Sequence, residues 1–198
     1  KELTGLNASG RAPQLATIAE MKKRGIELLP EDGPLTWSVP GCVAGWKDLH
    51  DRYGKLPWNE LFEPAIQLAD EGFPVAPVIA GYWQGDEASL ARTPEAAATF
   101  LVDGKAPQAG QIFKNPKLAQ TYRVLAEQGS EAFYSGSIAQ EIDSYSRSRE
   151  NGLLRLDDLK AHRNEWVQPV STSYRGYDVW ELPPSGQGIA ALQIFNKI

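Results

Sequence analysis

Arg11 is the first residue here whose type and setting could do chemistry. It stands in the short polar loop Asn7-Ala8-Ser9-Gly10-Arg11-Ala12-Pro13. A guanidinium held between glycine and proline suits bidentate capture of a carboxylate, and the plainer alternative is a surface arginine. Cys42 lies beside Gly41 near a helix start, where amides and helix dipole favour a thiolate. Its neighbours Val39, Val43 and Ala44 favour the other reading, a small buried packing residue. Gly186-Gln187-Gly188-Ile189-Ala190-Ala191 has the form of a dinucleotide fingerprint. The strand before it, however, is expected in a tight hairpin, and Pro183-Pro184 lengthens the turn. The ribose-binding acid, due ~20 residues on, would fall past Ile198. These glycines are therefore expected to let a helix N-terminus approach other backbone. His50 and His162 sit among charged residues without ligand spacing and read as solvated helix residues. No metal site and no Ser-His-Asp triad can be assembled.

The elements that must position these groups are mainly helical up to residue 165. Thr17 and Glu20 form a capping box, and Gly25 ends the helix they open. Gly41 to Tyr53 puts Val43, Trp46, Leu49 and Tyr53 on one stripe, with a stop at Gly54. Pro57 to Glu71 repeats the pattern up to Gly72, with Pro64 expected to kink or divide it. Thr93-Pro94 and Asn115-Pro116 open two more helices. The second places Leu118, Tyr122 and Leu125 on one face before Gly129. Further helices are expected from Ser137 to about Arg149 and from Asp157 behind Leu156, and Asp103 to Gln111 reads as the long loop. Residues 166–198 differ: strands Val167 to Tyr174 and Tyr177 to Leu182 join at Arg175-Gly176. The Gly-rich turn follows, then a helix with Ile189, Leu192, Phe195 and Ile198 inward. The helix is still apolar at Ile198, and the chain is expected to continue beyond it.

Composition narrows the class. The 198 residues are 42% hydrophobic and 23% charged, which excludes wholesale disorder, and the length suits one domain or two small ones. Lys plus Arg is 20 against Asp plus Glu at 25, a net charge of -5 that gives no footprint for nucleic acid. No run approaches the ~18 apolar residues of a membrane span. A single cysteine allows no internal disulfide.

Several segments together resemble the gamma-glutamyltranspeptidase family of N-terminal-nucleophile hydrolases. They are Ser38-Val39-Pro40-Gly41-Cys42-Val43-Ala44-Gly45-Trp46, Tyr53-Gly54-Lys55-Leu56-Pro57-Trp58, and Pro64 to Phe73. Phe133-Tyr134-Ser135-Gly136, Leu156-Asp157-Asp158-Leu159, and Tyr174-Arg175-Gly176-Tyr177 leading to Leu182 to Gly188 follow in order. Order and spacing, over nearly the whole chain, make the match specific.

The resemblance implies an α+β fragment, mostly helical with a C-terminal β-hairpin, from a four-layer αββα sandwich. It implies an interior slice of the large subunit, spanning residues 1–198, of a self-cleaving precursor. The nucleophile, the new N-terminal threonine of the partner subunit, would then lie beyond Ile198, so this segment alone would be inactive. The substrate would be a γ-glutamyl amide such as glutathione, its acyl group passing to water or an amine; no cofactor is implied. Arg11 corresponds to the arginine that grips the substrate α-carboxylate. In the transpeptidases two residues separate that arginine from Ala-Pro, whereas Arg11 precedes Ala12-Pro13 directly. The form here resembles the transpeptidase-like branch with cephalosporin acylases and other amidases, so another acyl amide is the alternative substrate. Family members are often exported, which implies a periplasmic or extracellular location. A rival from another class is a non-catalytic helical binding module.

Overall fold

The computed structural model describes residues 3–197. In chain order the first elements are β1 (Gly5–Asn7), α1 (Ile18–Lys23) and α2 (Cys42–Tyr53). Next come α3 (Glu63–Glu71), β2 (Phe73–Pro74), α4 (Pro77–Gly85), α5 (Glu87–Leu90), α6 (Pro94–Phe100), β3 (Ile112–Phe113) and α7 (Pro116–Gln128). The last are α8 (Glu131–Tyr134), α9 (Ser137–Ser148), α10 (Leu156–Lys160), β4 (Glu165–Val167), β5 (Val170–Tyr174), β6 (Tyr177–Glu181) and α11 (Gly188–Phe195). The α+β class, mostly helical with antiparallel strand pairs, matches the expectation. Two compact units form: Lys1–Lys55 with Ser130–Ile198, and Leu56–Gly129 between them in sequence. The change of pattern near residue 165 is thus one of secondary structure within the first unit.

Helix ends follow the residues that mark them. The Thr17 hydroxyl accepts from the Glu20 amide at 3.1 Å, but the Glu20 carboxylate takes Arg24 instead of closing the box. That ion pair holds the Glu20 carboxyl below its usual range. At the other end Gly25, with φ +70°, lets its own amide reach Lys22 O and that of Ile26 reach Met21 O. Pro64 lies in the first turn of α3, and the expected division falls just before it, where a 3-10 turn over Asn59–Phe62 precedes the helix. The Asn115 side chain caps α7 through the Leu118 amide, whereas Thr93 makes no such bond to α6.

Helix faces follow less closely. In α2 Val43 is buried, but Trp46, Leu49 and Tyr53 are exposed, at 41%, 45% and 54%. The helix is docked by its small residues: a side chain at Gly45 would meet the Ala8 methyl at 2.8 Å. In α11 Leu192 is buried and Phe195 lies 5.0 Å from Tyr174, while Ile189 is exposed. Ile198 lies outside the described residues.

The strands correct the sequence reading most. The run Val167 to Tyr174 is not one strand. It breaks at Gln168-Pro169, and β4 pairs antiparallel with β1, matching Asn7 to Glu165. Proline cannot donate to a ladder, so the break falls beside it. The hairpin β5–β6 is as expected, with Arg175 and Gly176 at φ 50° and 84°. A further pair, β2 with β3, was not anticipated.

In the first unit Val39, Ala139, Leu154 and Leu159 form a buried cluster against which Tyr134, Ile142 and Leu156 pack. In the second, α3 and α7 enclose Phe62, Ala69, Ala119 and Leu125. The Trp58 indole donates to Leu125 O at 2.8 Å, and Arg123 pairs with Asp70. Leu125 is 1% exposed. Leu125→Ala is expected to cost about 2–4 kcal/mol, read from urea denaturation of the second unit.

Candidate functional site

Arg11 sits on a loop whose backbone is held at several points while its side chain stands in water. The loop leaves β1 through an Asx turn, the Ser9 amide donating to Asn7 Oδ1 at 3.0 Å. Arg11 O accepts from the Val39 amide at 3.0 Å. Three residues on, the Gln14 amide donates to Asp158 Oδ1 at 2.9 Å, and Pro13 between them is buried. Because β1 pairs with β4, Glu165 lies opposite Asn7, and its Oε1 is 3.6 Å from the Arg11 Nη2. The two side chains are 86% and 61% exposed. A pair so solvated contributes little, leaving the cation free to change partners.

Two glycines lock this loop to residues 38–45. A Cβ on Gly10 would fall 1.5 Å from Val39 O, and one on Gly41 would fall 1.9 Å from Ala8 O. Each distance is far inside van der Waals contact with a backbone atom, so no side chain fits without moving backbone.

Gly41 is also the N-cap of α2 and supplies no side-chain bond to the helix. The third amide of the helix, on Ala44, donates instead to the Tyr134 hydroxyl at 3.0 Å, and that hydroxyl donates to Pro40 O at 2.8 Å. A phenol from α8 thus replaces the missing cap. Burial pushes the Tyr134 pKa up to about 12, against a smaller downward effect of the Ala44 hydrogen bond. The His162 ring stacks on Tyr134, 5.4 Å between centroids and 17° from parallel. His162 Nε2 bonds Asn164 Oδ1 at 3.0 Å, and Asn164 Nδ2 donates to Asp48 Oδ2 at 2.8 Å. The Asp48 carboxylate can only accept, which turns the amide oxygen toward His162 and places the ring proton on Nε2. Asp158 anchors the loop's far end while its Oδ2 accepts from the Arg155 amide at 2.8 Å, at the start of α10.

The other candidates fall elsewhere. Cys42, expected to be buried, is exposed at the first residue of α2, and Val43 turns inward in its place. His162 is part-buried beyond α10 and not a solvated helix residue; His50 is half-buried, with Nδ1 3.9 Å from Asp51. The Gly186–Gly188 turn follows an antiparallel hairpin. The Glu181 carboxylate would lie 2.6 Å from a Cβ on Gly188, putting a like charge where a pyrophosphate would need to sit. The close approach at Gly188 is therefore to a side chain, not backbone, and Gly186 faces open space. Among the described residues no three His, Cys, Asp or Glu side chains gather as a metal would require, and no helix is long and apolar enough to cross a membrane.

Residues 1–198 match the profile of the family described as Gamma-glutamyltranspeptidase. The chain belongs to the gamma-glutamyltranspeptidase family. It is 39% identical over 191 residues to the glutathione hydrolase-like YwrD proenzyme of Bacillus subtilis, covering 96% of this chain and 36% of that protein. Among solved structures it resembles a cephalosporin acylase from Bacillus halodurans, with TM-score 0.92 and 40% identity over 98% of this chain and 38% of that one. The Helicobacter pylori gamma-glutamyltranspeptidase follows, with TM-score 0.89 and 28% identity over 98% of this chain and 56% of that one. The chain thus spans about a third of the curated relative it matches.

Two family segments quoted from the sequence touch the Arg11 loop, through Val39 and Gly41 and through Asp158, and a third braces the first of them through Tyr134. Residue type alone did not single out Tyr134, Asp158 or Asn164. The available signals were an aspartate three residues into a helix start and a tyrosine set before Ser-Gly. Ionising Tyr134 would strip the donor to Pro40 O, and the folded chain resists it. An unfolded phenol ionises near 10 and the folded one near 12. Stability should therefore fall as pH rises through that window, the unfolded chain releasing its proton first. Denaturation midpoints between pH 9 and about 12 should show a shallower fall in Tyr134→Phe.

Proposed function

We propose that this chain is the Arg11-bearing part of an enzyme that cleaves γ-glutamyl amides, with glutathione-like compounds as substrates. The observation that carries the reading is an exposed guanidinium on a backbone fixed from both sides. Such a group offers two parallel N–H donors to a carboxylate from a main chain already in place, so that only the side chain has to be ordered on capture. The relatives' names support the reaction class, since they are those of a glutathione hydrolase-like proenzyme, an acylase and a transpeptidase.

On this reading the nucleophile is the N-terminal threonine of a partner subunit cut from the same precursor after Ile198. Its hydroxyl oxygen bonds the amide carbon, and its proton passes through the threonine α-amine to the leaving nitrogen. The C–N bond breaks and an ester remains, which water or an amine then opens. The part played by this chain is to hold the substrate carboxylate on Arg11 while that chemistry proceeds. The same reading places the enzyme in the periplasm or outside the cell, which fractionation of the native host would test.

A second reading has a specific observation in its favour. Arg11 directly precedes Ala12-Pro13, and the resemblance to a cephalosporin acylase is high. Under it, the same threonine mechanism acts on another acyl amide and Arg11 grips a differently placed anion, or none.

Two measurements test the proposal on the full-length gene product. Mass spectrometry should find two chains, the second beginning with threonine; a single uncut chain counts against both readings. With γ-glutamyl-p-nitroanilide, Arg11→Ala should raise KM by about tenfold to a hundredfold, the loss of a charge-assisted bidentate contact worth ~1.5–3 kcal/mol. An unchanged KM removes Arg11 from the site and favours the acylase reading.

A further inference from the structure

We propose that Tyr134 and Asp158 are positioning residues for Arg11, fixing the loop that carries it without touching substrate. The inference rests on the reading of Arg11 as a carboxylate clamp and adds how that clamp is held.

Asp158 is 6% exposed and uses both carboxylate oxygens on backbone amides. One amide belongs to Gln14, on the loop, and the other to Arg155, at the root of α10. The carboxylate therefore ties the loop's C-terminal side to a helix that starts beside the buried cluster. An amide in its place would keep one acceptor oxygen and lose the other.

Tyr134 works from the other side and through more steps. Its hydroxyl joins Pro40 O to the Ala44 amide, closing the turn into α2. Gly41, inside that turn, meets the Ala8 carbonyl, and Val39, just before it, bonds Arg11 O. If the turn opens, the surface on which residues 8–11 rest shifts with it. The phenol ring is held in turn by the stacked His162, which Asn164 links to Asp48 on α2. The two residues thus grip the loop upstream and downstream of Arg11, and the guanidinium between them keeps its freedom.

A positioning role differs from a purely structural one in how it combines with loss of the group it positions. The experiment uses the full-length, self-processed protein with γ-glutamyl-p-nitroanilide and a double-mutant cycle. Tyr134→Phe deletes one oxygen and keeps the ring; Asp158→Asn deletes one acceptor. Each should raise KM by about fivefold to tenfold with kcat within about twofold, as expected for misplaced binding and not for lost chemistry. In the Arg11→Ala background neither should raise KM further, since the group they place is gone. A KM effect that multiplies with that of Arg11→Ala, or a fall in kcat at unchanged KM, overturns the inference. If Arg11→Ala itself leaves KM unchanged, the clamp reading fails first and this inference with it. If Arg11→Ala acts and the two variants do not, only the inference fails. Should Asp158→Asn not fold, Tyr134→Phe carries the test alone.

Discussion

Everything around Arg11 depends on two stretches of backbone lying closer than side chains permit. Residues 8–10 rest against residues 39–41, with glycine at each crossing, so that Val39 O and Ala8 O occupy space that Cβ atoms would claim. Backbone at that range has few alternative arrangements, because small displacements cause overlap in one direction and a lost hydrogen bond in the other. Loops usually carry function by trading order for reach. This one is held along its main chain and exposed at the Arg11 side chain, so the backbone part of the ordering cost is met during folding and the side-chain part is left to binding.

The polar groups behind the loop are arranged for the same end. Tyr134, Asn164 and Asp158 are part-buried or buried, and each has partners for its hydrogen-bonding atoms. In a low-dielectric setting a satisfied network resists displacement more than an apolar contact, because any partial break leaves a group unpaired. The apolar cluster beside it is small: Val39, Ala139, Leu154 and Leu159. Val39 belongs to both systems, since its side chain is in the cluster and its amide holds Arg11 O.

Sequence reading succeeded where the cause was local. Thr17, Gly25, Pro64, Asn115 and Arg175-Gly176 act on their own turn, and the structure uses each near the expected place. It failed where the cause was distant. Strands β1, β2 and β3 have two or three residues each, too few for a periodic signal, and exist because of partners far along the chain. For Arg11 the sequence offered a carboxylate clamp beside a plain surface arginine, and its setting in a polar loop is what the structure shares with both. Its supports were not: Tyr134 reaches a residue 90 positions away and Asp158 one 144 away. Cys42 shows a related limit. Its apolar neighbours implied burial, but a helix turns adjacent residues by 100°, and the inward place went to Val43.

The fixed loop also gives meaning to the position of the arginine along it. Pro13 is buried and its carbonyl holds the Ala16 amide at 2.8 Å, so Ala12-Pro13 is an anchored reference point. Two residues further from that point, where the transpeptidase pattern has its arginine, stands Ser9. Two residues of extended chain span up to roughly 7 Å, more than a bidentate contact tolerates. On a mobile loop such a difference could be absorbed by rearrangement. Here the Ser9 amide is committed to Asn7 and Arg11 O to Val39, so the guanidinium leaves the backbone from a different place. On such a loop the register of the arginine fixes where its guanidinium can reach, and under the proposed carboxylate-clamp reading a shift of two residues moves the anion it can hold.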